Sequence, residues 1–198
     1  MRWLAVLTAA TVLAGACSQQ GQDGTKGAVP LPEAYPRIDT YPARYTVYTS
    51  LPVALSVNSA VTPVLKPGRT PGLDIPYPRY NATVYLTVIP DAYADFDQLW
   101  NARRARIDNN LGDIATSAME VTSQADTSFI SAIVLAKSAT QTPVQLLGAS
   151  RRHGIIISAT AFLHDNVKAT NLDSISPAIE ALAHDMQRLA TDLALPAR

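Results

Sequence analysis

The chain has 198 residues, 47% of them apolar and 16% charged, which is enough to build one packed core and excludes wholesale disorder. Sixteen basic residues balance sixteen acidic ones, which argues against a basic nucleic-acid binder; the single cysteine excludes an internal disulfide and a cysteine-based zinc cluster. Eleven of the 14 prolines fall between Pro30 and Pro90, so the first half is predicted to be loop-rich and the second half to carry most of the regular structure.

Met1-Arg2 is a short basic start, and Trp3 to Ala16 is an uncharged, almost wholly apolar run. A bilayer-spanning helix needs about 20 residues, so this run reads as a secretory signal peptide and not as a membrane anchor. It ends in Leu13-Ala14-Gly15-Ala16-Cys17, which resembles the bacterial lipoprotein signal, in which the cysteine becomes residue one and is acylated. The same residues allow an ordinary signal peptide with Cys17 a spare thiol, but the placing of the only cysteine at this site favours lipidation. Cleavage removes Arg2 and leaves 15 basic against 16 acidic residues. Acyl chains contribute about 0.8 kcal/mol per buried CH₂, so several of them hold a protein stably on a membrane. The polar, Gly/Gln-rich stretch after Cys17 reads as a flexible tether over residues 17–34, followed by a single domain over 35–198. With only Asp23 acidic near the cysteine, the periplasmic face of the cell envelope is the expected location.

Arg44 to Ser50 alternates and is rich in aromatic and β-branched residues, which predicts a strand, with Val53 to Val57 pairing nearby. Ser59 to Tyr77 carries four prolines and two glycines and reads as a long loop. Arg79 to Ile89 is the clearest strand: Tyr80, Ala82, Val84, Leu86 and Val88 face one way, while Asn81, Thr83, Tyr85 and Thr87 face the other. Pro90-Asp91 is expected to open a helix whose stripe runs Tyr93, Phe96, Trp100, Arg103, Ile107, Leu111 and which ends at Gly112. Four strands follow, over Ile114–Thr122, Ser128–Lys137, Val144–Ser150 and Ile155–Leu163, the last apolar enough to be central. A closing helix is predicted from Ser176, as N-cap, to Leu193. Its apolar stripe is Ile179, Leu182, Ala183, Met186, Leu189, Ala190 and Leu193, with Glu180, His184, Asp185, Arg188 and Asp192 opposite. The expected fold is α+β: a mostly antiparallel sheet of about six strands with two packed helices, in the order ββ-α-ββββ-α.

No motif assembles an active site. The pairs His164-Asp165 and His184-Asp185 lack metal-ligand spacing and, with His153, read as surface polar residues. Gly148-Ala149-Ser150 lacks the second glycine of a nucleophile elbow, and a hairpin should follow it. No catalytic residue, metal or cofactor is therefore assigned, although dispersed carboxylates of a glycosidase leave no local signature. The clusters Arg103-Arg104-Arg106 and Arg151-Arg152-His153 read as solvated faces. Tyrosines crowd the proline-rich half, at Tyr35, Tyr41, Tyr45, Tyr77 and Tyr80; such segments can line a binding groove or pack over loops. Tyr35, Arg37, Tyr77 and Tyr80 are the candidates for partner binding.

Four blocks resemble, in order, the gliding-motility lipoprotein GldD family. They are Pro30 and Pro32 followed by Tyr35-Pro36-Arg37-Ile38-Asp39; Ile75-Pro76-Tyr77-Pro78-Arg79-Tyr80-Asn81-Ala82-Thr83-Val84-Tyr85-Leu86; Thr142-Pro143-Val144-Gln145-Leu146-Leu147; and Asp173-Ser174-Ile175-Ser176-Pro177 with Asp185-Met186. The resemblance, that of a distant member, implies a non-enzymatic, lipid-anchored envelope lipoprotein. Such a protein supports assembly or stability of the gliding and type IX secretion machinery, with other envelope lipoproteins or motility and secretion proteins as partners and no nucleic acid. The alternative, from a different class, is a periplasmic hydrolase acting on an envelope glycan or phosphate ester.

Overall fold

The computed structural model describes residues 38–136, 140–165 and 172–197. The run Ile155–Leu163 (β9) is apolar almost throughout because both of its sides are covered. Ile155, Ile157, Ala159 and Ala161 enter the larger core, and Ile156 enters a smaller one on the opposite face. β9 is the middle strand of seven. The others are Val64–Lys66 (β3), Gly72–Tyr77 (β4), Ala82–Ile89 (β5), Ala115–Thr122 (β6), Ile130–Ala136 (β7) and Val144–Ser150 (β8). Their order across the sheet is β3-β4-β5-β9-β8-β7-β6, and every neighbouring pair is antiparallel. β5 meets β9 from Ala82 opposite Leu163 to Ile89 opposite Ile156.

A separate hairpin of Tyr45–Tyr48 (β1) and Leu55–Asn58 (β2) adds Leu55 and Val57 to the larger core. Reciprocal backbone bonds between Ala54 and Ala194, at 2.8 and 3.1 Å, fasten this hairpin to the chain's last segment. The helix Leu172–Thr191 (α2) buries Leu182, Met186, Leu189 and Ala190 in the same core. Phe96–Leu111 (α1) covers the other face of the sheet, where Phe96, Leu147 and Ile156 pack with Trp100 and Ile107. The fold is α+β with a mostly antiparallel sheet, as the sequence predicts. The five residues set on one side of the Arg79–Ile89 segment, Tyr80 to Val88, are all buried, although the strand itself starts at Ala82 and Arg79 and Tyr80 belong to the turn before it. None of the described helices is long and apolar enough to cross a membrane.

Four details differ from expectation. The stretch 59–77 is not a loop: it forms β3 and β4. Its prolines are tolerated because Pro63 and Pro67 flank β3, Pro71 precedes β4, and Pro76 sits beyond Asp74, where β4 has no further partner in β3 and needs no donor on that side. The first helix begins at Phe96 and not at Asp91, because Asp91 is left-handed (φ 54°) and the Ala92 amide is taken by the Gly154 carbonyl at 2.7 Å. Tyr93, placed in the stripe, is 62% exposed. The closing helix starts at Leu172, so Pro177 lies inside it and Ser176 is no N-cap; the Ser176 hydroxyl bonds the Glu180 carboxylate instead, at 3.0 Å. As the sixth residue of the helix, Pro177 forgoes the one bond that an amide there would give to the carbonyl four residues before it.

Candidate functional site

Four of the tyrosines that crowd the proline-rich half, Tyr41, Tyr45, Tyr77 and Tyr80, meet at one place, around the buried carboxylate of Asp185. Pro78 starts a single 3₁₀ turn, Pro78–Tyr80, and Asn81 ends it in the left-handed conformation (φ 45°) that asparagine adopts readily. This turn reverses the chain from β4 into β5 while leaving Tyr77 and Tyr80 on one side, their rings stacked 5.9 Å apart and 9° from parallel. Tyr41 meets both rings edge-on, at 5.7 and 5.2 Å. The backbone joins in: the Tyr41 amide donates to the Tyr80 hydroxyl (2.8 Å) and the Arg79 amide to the Tyr41 hydroxyl (3.2 Å). The Arg79 guanidinium lies 4.7 Å over the Tyr41 ring.

Asp185 accepts hydrogen bonds from the Tyr45 hydroxyl (2.7 Å), the Tyr77 hydroxyl (2.9 Å) and the Asn58 amide (3.2 Å). Asn58 also donates to the Pro42 carbonyl and accepts from the Ala60 amide, so its side chain is held from three directions. The described ion pairs give Asp185 no lysine or arginine partner; its one basic neighbour at that range is His184, at 3.9 Å. The charge is held by neutral donors, the condition under which a buried carboxylate is tolerated. Burial, reinforced by the Asp185 charge, pushes the hydroxyls of Tyr45 and Tyr77 well above the ordinary tyrosine value, and burial raises Tyr80 as well. All three stay protonated at neutral pH, so they serve as donors or acceptors of hydrogen bonds and not as bases or oxyanion nucleophiles. The arrangement locks four segments together: residues 41–45, the end of β2, the end of β4 and α2.

The structure revises several sequence expectations here. Tyr77 and Tyr80 are buried, at 2% and 8% exposure, so their rings are packing and hydrogen-bonding elements and offer no face to a partner. Cys17, Tyr35 and Arg37 lie outside the described residues. Asp185, placed on the solvent side of its helix, is 9% exposed. The spacing that defines the stripe does reach it, since it follows Leu182 by three residues and precedes Leu189 by four. Asn58 carried no signal in the sequence.

The three histidines sit on separate elements. His153, expected at the surface, is half-buried: its Nε2 lies 3.0 Å from the Asp126 carboxylate and its ring stacks on Phe129 at 5.8 Å. His164 is exposed and its Nε2 meets the Thr83 hydroxyl (2.9 Å), while Asp165 accepts from Asn81. His184 is exposed beside the Tyr45 hydroxyl, at 3.0 Å. Ser150 ends β8, bonds Ser128 at 2.8 Å, and is followed by the expected hairpin turn into β9. In that turn Arg151 pairs with Asp97 and covers the Phe96 ring at 4.4 Å. Arg103 is half-buried on α1 and donates to the Ser158 hydroxyl (3.3 Å), so it is no solvated surface charge. Among the described residues no group of three or more His, Cys, Asp or Glu side chains is placed to hold a metal ion.

No family model matches the chain, and no curated protein matches it.

Proposed function

We propose that the chain is a lipid-anchored envelope lipoprotein, periplasm-facing, that supports assembly or stability of a gliding-motility and type IX secretion complex by binding and not by turnover. The reading starts from the resemblance to the gliding-motility lipoprotein GldD family. The observation that supports it most is the direct contact between two of the resembling blocks, the Tyr77 hydroxyl of one donating to the Asp185 carboxylate of the other at 2.9 Å. A third block supplies β8, two places from β5 in the sheet, with Val144 and Leu146 in the core. Residues that such a family shares would then be those that hold the domain together, as suits a protein that acts through its surface. The clamp around Asp185 also fixes residues 41–45, close to where the predicted tether joins the domain, so that a pull on a lipid anchor would be transmitted to the sheet and α2.

The test is fractionation of cells carrying wild type or Cys17→Ala, followed by crosslinking, affinity isolation and mass spectrometry. The expected result is a processed, membrane-bound wild type that captures motility or secretion proteins of the envelope, and a Cys17→Ala chain that is released or unprocessed. A Cys17→Ala chain still processed and membrane-bound like wild type would overturn the lipid anchor. A folded His164→Ala/His184→Ala variant that fails to complement a deletion strain would favour the hydrolase instead.

A further inference from the structure

On the α1 side of the sheet lies a cavity of about 140 Å³, well away in the fold from the Asp185 clamp, which is built on the opposite face. Arg103 and Arg106, with Ile107 beside them, form its helical wall, and Thr87, Ser158, Gln145 and Tyr85 are among the residues that line it from the sheet. The strand register explains the floor. Thr87 stands opposite Ser158, and their hydroxyls are 2.8 Å apart. Gln145 on β8 stands opposite Thr160 on β9. All of these positions have the parity of Ile156 and Leu147, so they point to the α1 face, yet they are polar where their neighbours under the helix are apolar. An apolar floor would have suited helix packing better; hydroxyls and an amide there suit a polar occupant.

The charge balance points the same way. Arg103 is half-buried and its one hydrogen bond among the described residues goes to the neutral Ser158 hydroxyl, at 3.3 Å. Arg106 has no ion pair among the described residues, and no carboxylate lines the cavity. The two guanidiniums oppose each other: burial first, and the charge of Arg106 second, lower the proton affinity of Arg103. A partly buried cation next to a like charge is unfavourable unless an anion joins it. Gln145 is 1% exposed, and its side-chain amide nitrogen donates one long bond, 3.5 Å to the Thr142 hydroxyl, so its second N–H has no acceptor among the described residues. Donors thus stand on the helical wall above and the sheet floor below, as a tetrahedral oxyanion requires. With a water occupying about 30 Å³, the volume holds one such group and no lipid tail.

We propose that this cavity is an anion site that takes a phosphate-type oxyanion between Arg103 and Arg106, whether presented by a free phosphorylated solute or by a phospholipid headgroup. The inference does not depend on the proposed role in motility.

Thermal unfolding of the full chain tests it, with inorganic phosphate and, separately, glycerophosphoglycerol as a soluble phosphodiester headgroup, each against chloride at equal ionic strength. Binding to the folded state alone raises Tm, here by about 2–4 °C near saturation. Phosphate also stabilises proteins generally by exclusion, so the readout is the difference between variants. The rise should be lost in Arg103→Gln/Arg106→Gln and kept in Arg104→Gln, whose residue lines a different groove. Arg106 is exposed, so Arg106→Gln alone keeps the fold and should weaken the response even if the double variant folds poorly. A response to phosphate alone supports a free solute, and an equal response to the diester supports a headgroup. Equal Tm rises in wild type and in Arg106→Gln with both probes would overturn the site.

Discussion

The Tyr77 hydroxyl donates to the Asp185 carboxylate across 108 residues of chain, at 2.9 Å and out of contact with solvent. That bond joins the last residue of β4 to the middle of α2, and the Tyr45 and Asn58 bonds to the same carboxylate add β1 and β2. Asp185→Ala would leave two hydroxyls and an amide without their acceptor. The expected cost is about 3–5 kcal/mol, since bonds to a charged group contribute about 1.5–3 kcal/mol each and part of the loss is recovered by water. Tyr77→Phe should cost about 1–3 kcal/mol, and a double-mutant cycle between the two sites should show a coupling of at least about 1 kcal/mol by denaturant unfolding. Additive losses would mean that the pair is not a unit.

Sequence reasoning reached β9 and β5 because their signal is local: strict alternation in one and a doubly covered apolar run in the other. It missed β3 and β4 because proline is a breaker only where a sheet needs its missing donor, and the open side of β4 at Pro76 is visible only in the assembled sheet. It gathered the tyrosines by their crowding along the chain but could not tell which way their rings turn; Tyr77 and Tyr80 face inward because the 3₁₀ turn at Pro78 puts both on the core side. Asp185 was hidden by its charge, although its spacing belonged to the buried stripe. Arg103 sat in the predicted stripe of α1 from the start, and its half-burial there is what makes the cavity cationic.

The rotation of α2 has a direct test. Leu182 and Met186 are 0% and 1% exposed, so changing either to Ala should destabilise the fold by about 2–5 kcal/mol. His184 is exposed, and its side chain meets the Tyr45 hydroxyl and ring and lies 3.9 Å from Asp185, so His184→Ala should cost within about 0.5 kcal/mol. Similar melting losses in all three variants would show a helix rotated from the one described.

Acid stability should depend on Asp126. Its carboxylate accepts the Ser128 amide at 3.0 Å, the largest influence on it, and meets His153 as well, so its pKa is held below the ordinary 3.8. A depressed carboxylate contributes stability that is fully present above the unfolded value and is lost as pH falls through the folded one. Between about pH 4 and pH 2 the wild type should therefore lose more stability than Asp126→Asn, which has no charge there to lose. Parallel curves for the two proteins over that window would contradict the assignment.

Gly148 and Ser131 stand opposite each other on β8 and β7, and the pair is packed to its limit. A Cβ at position 148 would come within 2.5 Å of the Ser131 Oγ and 3.6 Å of Leu193, with no backbone strain from the glycine itself. The Ser131 hydroxyl is buried and has no hydrogen-bond partner among the described residues. Gly148→Ala alone should therefore cost about 1–3 kcal/mol through overpacking. Ser131→Ala alone should be neutral or slightly stabilising, because an unpaired buried hydroxyl is replaced by the apolar group its surroundings prefer. Together they should be better than additive, since removing the hydroxyl leaves the new methyl facing the Ser131 Cβ position at 3.4 Å, a distance that small shifts accommodate. Urea unfolding of the four proteins in the cycle measures this, and a double variant as unstable as the sum of its singles would show that the hydroxyl is not what excludes a side chain from position 148.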